Sequence, residues 1–190
     1  IDNSLTMLSD KPGRDTQESL GGSLRIEWSA LSWATLTSIT AVADSDIDFD
    51  FDADWGNDDS WAPVTYDFVS LSNRSRLTVS QELRFASSEE GRIFGGTTDW
   101  LAGLYLLQLE DDLVTTNRGD YFDPGFDFAD SLDDTFGSRY EATHVALFGQ
   151  LDHELGAATR LSFGLRVERR STDYSDTAGL SASPSETMSG

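Results

Sequence analysis

Hydrophobic and polar residues alternate with a period of two along much of the chain, the spacing that gives a β-strand one apolar and one polar face. The last such segment is the cleanest. Leu161, Phe163, Leu165 and Val167 occupy one face, and Ser162, Gly164, Arg166 and Glu168 the other. From Ser23 onward, Leu24, Ile26 and Trp28 oppose Arg25 and Glu27. Leu77, Val79, Leu83 and Phe85, interrupted by Gln81, oppose Arg76, Thr78, Ser80, Glu82 and Arg84. WATLTSITAV is rich in Thr, Ile and Val, which favour strands, and its imperfect alternation leaves room for a bulge. WLAGLYLLQLE is more evenly apolar, and THVALFGQLDHEL precedes the last strand. The pattern predicts about six strands, near 23–29, 32–47, 75–86, 99–110, 142–154 and 160–173, with hardly any helix.

Between them, Pro, Gly, Ser and charged residues mark loops. Residues 1–22 read as a loop, 48–71 and 111–140 as long acidic loops, and 175–190 as a loose tail. The breaks at 29–32, 87–97 and 156–159 are shorter. In an up-and-down meander alternate connections share a rim. The short ones therefore fall on one rim and the long ones on the other, the asymmetry of outer-membrane barrels. Strands of about ten residues match the 9–11 that cross a bilayer, and Trp28 and Trp33 flank a short turn where an interfacial aromatic belt would lie. A soluble antiparallel sandwich alternates in the same way, so periodicity leaves both architectures open.

Composition narrows the function classes. A formal net charge of −21 repels phosphates and argues against nucleic-acid binding. Five Trp and eleven Phe argue against disorder of the whole chain. There is no cysteine, hence no disulfide framework or thiolate metal site. No apolar run reaches the roughly 18 residues of a transmembrane helix, which leaves a membrane barrel open.

Candidate chemistry is sparse. Asp46, Asp48, Asp50, Asp52 and Asp54 alternate with Ile47, Phe49, Phe51 and Ala53. With Asp44, Asp58 and Asp59 these aspartates could offer oxygens to calcium, but same-face carboxylates on a strand stand ~7 Å apart, too far to converge on one ion without a bend. A solvated face is the simpler reading. The same holds for Glu110, Asp111, Asp112, Asp120, Asp123, Asp127, Asp130, Asp133 and Asp134. His144 and His153 are too far apart along one strand to share a metal. Arg118-Gly119-Asp120 and Asn73-Arg74-Ser75 are three-residue matches of the kind that chance supplies. No nucleophile elbow, phosphate loop or catalytic histidine setting occurs. The chain is therefore expected not to be an enzyme, with no catalytic residue, metal or cofactor, and its ligand-binding residues stay unknown. By parity, Arg25, Glu27, Arg76, Glu82, Arg84, Arg166 and Glu168 share the polar face of the strands, where pairing across strands is expected.

Three stretches resemble the barrels of TonB-dependent outer-membrane receptors, in the order that family shows: SLRIEWSALSWATLTSITA (23–41), LTVSQELRFASSEEGR (77–92) with WLAGLYLLQLEDD (100–112), and VALFGQLDHELGAATRLSFGLRVERRSTDYSD (145–176). The resemblance covers roughly half the chain and none of the loops. It implies an antiparallel meander forming part of a larger transmembrane β-barrel of about 22 strands around a plugged lumen. The family's plug domain, TonB-contacting box and terminal aromatic strand have no counterpart here, so an internal fragment of the barrel domain is expected. The implied function is active uptake of a scarce ligand, such as a ferric siderophore, across the bacterial outer membrane. The partners would be membrane lipid, lipopolysaccharide and, through the missing N-terminal region, TonB. The alternatives are a passive porin-like barrel, or a secreted acidic β-sandwich binding carbohydrate or calcium.

Overall fold

Every strand pairs with its neighbour in sequence, and the pairing runs far beyond the segments that alternation alone picks out. A computed structural model of the chain describes residues 9–177 and 181–182. Six long strands, β1 (Arg14–Trp28), β2 (Ala34–Asp52), β3 (Thr65–Ser87), β4 (Thr98–Asp123), β5 (Phe128–Gly156) and β6 (Thr159–Asp176), form one antiparallel meander. A two-residue strand β7 (Ser181–Ala182) pairs with Tyr174 and Ser175, and a single helical turn α1 (Asp58–Trp61) lies between β2 and β3. The sheet order is β1 to β7 without crossover, and its two edges do not meet. The chain is all-β, as its pattern predicts.

The strand boundaries differ most from the expected ones away from the short connections. The segment 111–140 is not a loop. β4 and β5 continue through it for 26 and 29 residues and turn only at 124–127. At roughly 3.4 Å per residue they run on the order of 90 Å. Likewise β2 continues to Asp52 and β3 begins at Thr65, so the expected loop 48–71 shrinks to 53–64. β1 starts at Arg14, inside the expected loop 1–22, and β6 continues to Asp176, inside the expected tail. Residues 1–8, 178–180 and 183–190 of those expected segments lie outside the described residues. The reason is pairing: each extension finds a partner already extended, which satisfies backbone groups that a loop would leave to water. β2 and β3 run in register without a bulge, and the one shift in the long pairings lies between Glu154 and Gly156, at the tight turn 157–158.

Connections 29–33, 88–97 and 157–158 lie at one rim and 53–64 and 124–127 at the other, as the meander requires. The length asymmetry is in the strands rather than in the connections themselves. Both Arg14 and Asp176 stand at the rim of the long hairpins.

Residues opposite each other in an antiparallel pair share a face. One row therefore reads Trp28, Leu36, Phe85, Ala102, Gly149, Leu165, and the next Ile26, Ser38, Leu83, Leu104, Leu147, Val167. These lie on what is called here the Leu165 face. The opposite, Arg166 face carries the row Glu27, Thr37, Arg84, Gly103, Phe148, Arg166 and, beside it, Arg25, Ile39, Glu82, Tyr105, Ala146, Glu168. Of the seven buried strand positions among the described residues, Ser70, Asp111, Ala142 and Ala146 lie on the Arg166 face, and Ala34, Asp52 and Thr98 lie at the ends of the Leu165 face. Between those ends the Leu165 face is bare: Leu147 and Phe163 are each 64% exposed and Leu165 60%.

Candidate functional site

Farther from the short connections the two faces exchange character. On β2 the even positions run from Leu36 through Val42 and then become Asp44, Asp46, Asp48, Asp50 and Asp52. The odd positions run from Thr35 and Thr37 to Ile47, Phe49 and Phe51. Along β2 the Leu165 face is thus apolar near the short rim and acidic beyond it, and the Arg166 face is polar near that rim and aromatic beyond. On β6 the apolar band is the run Leu161, Phe163, Leu165 and Val167, roughly 20 Å along the strand. At its lower edge Trp33 stacks on Trp100 with ring centroids 6.1 Å apart, and Trp100 Nε1 donates to the Gly91 carbonyl at 2.9 Å.

The register places all seven expected polar-face residues, Arg25, Glu27, Arg76, Glu82, Arg84, Arg166 and Glu168, on the Arg166 face. Arg76 pairs across strands, with Asp111 on β4, as expected, but the other six do not. Arg25 bonds Glu27 at 2.7 Å, Arg166 bonds Glu168 at 2.8 Å, and Arg84 pairs with Glu82, each two positions away on its own strand. The opposing positions explain this, because Thr37, Ile39, Tyr105, Gly103, Ala146 and Phe148 offer no charge. Arg166 also lies against aromatic rings, 5.6 Å from the Tyr105 centroid and 6.0 Å from that of Phe148. Phe148 in turn covers Gly103, where a Cβ would come within 2.2 Å of the ring; glycine is needed for that close approach. Phe68 covers Gly119 in the same way.

Above the band, one cross-strand clamp joins β3 to β4. Asp111, only 7% exposed, accepts from Arg74 Nε and Nη2 at 2.7 and 2.6 Å and from Arg76 Nε and Nη2 at 2.9 and 2.7 Å. The hydrogen bonds from Arg74 hold its carboxyl below the usual range; burial opposes them, and Arg76 adds to the lowering. Asp111 reads in the sequence as one more member of an acidic run; only the register with Arg74 and Arg76 reveals its partners.

The far end of the Arg166 face is lined by rings. Tyr66 lies 5.2 Å from Trp61, 4.8 Å from Phe68 and 6.2 Å from Tyr121, and Tyr121 lies 6.1 Å from Phe128. The connection 53–64 that carries Trp61 is tied down. Asn57 caps α1 by accepting from the Ser60 amide at 2.9 Å. Asp54 accepts from the amides of Phe68 at 2.8 Å and Gly56 at 2.9 Å. Burial alone would raise the Asp54 carboxyl, yet those two amides hold it below the usual carboxylate value.

No metal geometry accompanies these carboxylates: among the described residues no group of three or more His, Cys, Asp or Glu side chains is placed to hold an ion. Asp48 and Asp50 lie 3.1 and 3.7 Å from the Arg14 guanidinium. His144 and His153 occupy opposite faces of β5, and His153 Nδ1 lies 2.7 Å from the Thr98 hydroxyl. Arg118 pairs with Asp133 inside the β4–β5 hairpin, and Asn73 with Asp48 on β2, so both three-residue matches lie within paired strands. Comparison with models of known protein families gives no match, and comparison with curated proteins gives none either.

Proposed function

We propose that this chain is wall and external hairpins of an outer-membrane β-barrel, in a TonB-dependent transporter that takes up a scarce ligand such as a ferric siderophore. The observation that carries the membrane part is the bounded apolar band on the Leu165 face. It crosses all six strands at one level, is flanked by tryptophans at the short rim and, on every long strand but β3, gives way to carboxylates toward the other. A soluble sandwich buries the same face along a whole strand, whereas here the apolar face becomes acidic midway along β2. In the barrel, the Leu165 face meets lipid, the Arg166 face meets the lumen, and the hairpins rise into external water. β1 and β6 then continue pairing with further strands, because an open edge has no partner in hydrocarbon.

The transporter part rests on the sequence resemblance and not on the band, which suits a plug-free porin equally. The two are separated by energy dependence. Uptake by cells carrying the full-length protein is expected to stop when TonB is deleted. Uptake that continues unchanged in that strain, falling only when the protein itself is removed, would assign it to the porins.

A further inference from the structure

Among the thirteen lysines and arginines of the chain, one has no partner within the described residues. Arg169, on β6, makes no ion pair or hydrogen bond within the described residues, although carboxylates outnumber cations by 34 to 13. Its placement explains the isolation. Arg169 opposes Val145 on the Leu165 face, and the same-face positions around it are Val167, Ser171, Leu147 and Thr143. It is exposed, and it is the only charge in its row, which reads Leu24, Thr40, Gln81, Leu106, Val145, Arg169. Its neighbour Arg170 points to the other face and donates to the Tyr140 hydroxyl.

Directly below Arg169 the apolar face is hollowed. The row Phe85, Ala102, Gly149, Leu165 sets two small residues between two large ones. Around them Leu104, Leu147 and Val167 form one wall, and Leu151 and Phe163 the other, of a hollow of about 570 Å³ that is almost entirely apolar. Val167, on its wall, stands one same-face step from Arg169, roughly 7 Å along the strand. The combination is an acyl-sized apolar depression with an unpaired guanidinium at the end nearer the long hairpins.

We propose that this is a binding site for one net-anionic, phosphate-headed lipid, whose acyl chain lies in the hollow over Ala102 and Gly149 and whose phosphate receives the Arg169 fork. The site rests on the barrel reading and adds a specific lipid to it. Guanidinium recognises phosphate through paired donors, and a desolvated headgroup level strengthens the contact. A second copy of the chain fits poorly, because contact through this face would set two acidic ladders, Asp44 to Asp52, side by side.

The test uses the full-length protein reconstituted in nanodiscs, with phosphatidylglycerol and phosphatidylcholine of identical acyl chains as probes. Native mass spectrometry counts retained lipid, and bromine-labelled acyl chains report, by quenching of tryptophan fluorescence, whether the Leu165 face with Trp28 meets lipid. The wild type is expected to retain phosphatidylglycerol in preference to phosphatidylcholine. Arg169→Gln should weaken that preference about tenfold, Arg170→Gln should leave it intact, and Ala102→Leu should lower retention of both lipids by filling the hollow. Quenching with no preference, or a preference that survives Arg169→Gln, overturns the lipid site and leaves the barrel standing. Absence of quenching overturns both.

Discussion

The two halves of the sheet share their strands, their register and their alternation, yet along β2 they present opposite surfaces. Near the short connections Leu36, Phe85 and Leu165 lie on one face and Arg84, Glu82 and Arg166 on the other. Beyond Val42 the first face becomes the ladder Asp44 to Asp52, and the second becomes Ile47, Phe49, Phe51, Phe68 and Tyr121. The backbone is continuous across the change. Polarity along a strand therefore reports the medium beside each position, while the ladder of hydrogen bonds reports the fold. On the barrel reading proposed above, a strand that crosses from hydrocarbon into water keeps its pairing and exchanges its side chains.

The harshest test of that contrast removes the membrane. The 190-residue chain expressed without detergent is expected to aggregate, because the bare Leu165 face and two unpaired edges have nothing to cover them. A monodisperse monomer that unfolds cooperatively, with amides protected in all six long strands, would break the contrast. Next in size is a charge placed in each half. Leu165→Arg in the full-length barrel should destabilise insertion by about 2–4 kcal/mol if its row sits near the midplane. Asp46→Arg, on the same face of the acidic half and away from any ion pair within the described residues, should cost under about 0.5 kcal/mol. Unfolding titrations in lipid vesicles measure both, and equal losses would show that the two halves share one environment.

The clamp at the boundary should give a smaller, pH-dependent effect. Asp111→Asn leaves Arg74 and Arg76 one neutral amide oxygen in place of a carboxylate, at a cost of about 1–3 kcal/mol, discounted because both guanidiniums are partly exposed. The Asp111 carboxyl is held below its ordinary value of 3.8 by those arginines. Its contribution is therefore complete above that value and is lost as pH falls through the depressed native one. Wild type and Asp111→Asn should converge in stability in strong acid and separate above about pH 4. A gap that stays constant with pH would refute the clamp. Gly103→Ala drives a methyl into the Phe148 ring and should cost about 1–2 kcal/mol. Pairing it with Phe148→Leu should recover part of that loss in a double-mutant cycle, and strict additivity would mean the ring does not cover Gly103.

The band half was legible in the sequence because its alternation is simple: Leu161, Phe163, Leu165 and Val167 sit on one bare face. The outer half was misread as loops. Gly119, Pro124, Gly125, Gly137 and many aspartates have the composition of a loop, and only Pro124 and Gly125 lie in the turn. Gly119 and Gly137 lie within strands, the first under Phe68. Strand preference depends on what a residue packs against, and the partners of β4 beyond Glu110 are set by register over more than twenty residues of β3. The Asp111 clamp was hidden for the same reason, and so was the solitude of Arg169, which is defined by what stands around it on neighbouring strands. The alternation of Ile47, Phe49 and Phe51 with aspartates was visible, but its parity relative to Leu36 carries meaning only once β2 is known to continue unbroken.

That unbroken pairing changes what an encounter at the outer tip costs. A thirty-residue loop would hold many conformations, and whatever docked on it would have to freeze them, at about 1–2 kcal/mol for each residue fixed. The β4–β5 hairpin turns through only 124–127, so the ring of Phe126, 85% exposed, projects from backbone already ordered when the protein folds. A visitor arriving there meets a rigid spar, and nearly all of its contact energy is left for affinity rather than for immobilising chain.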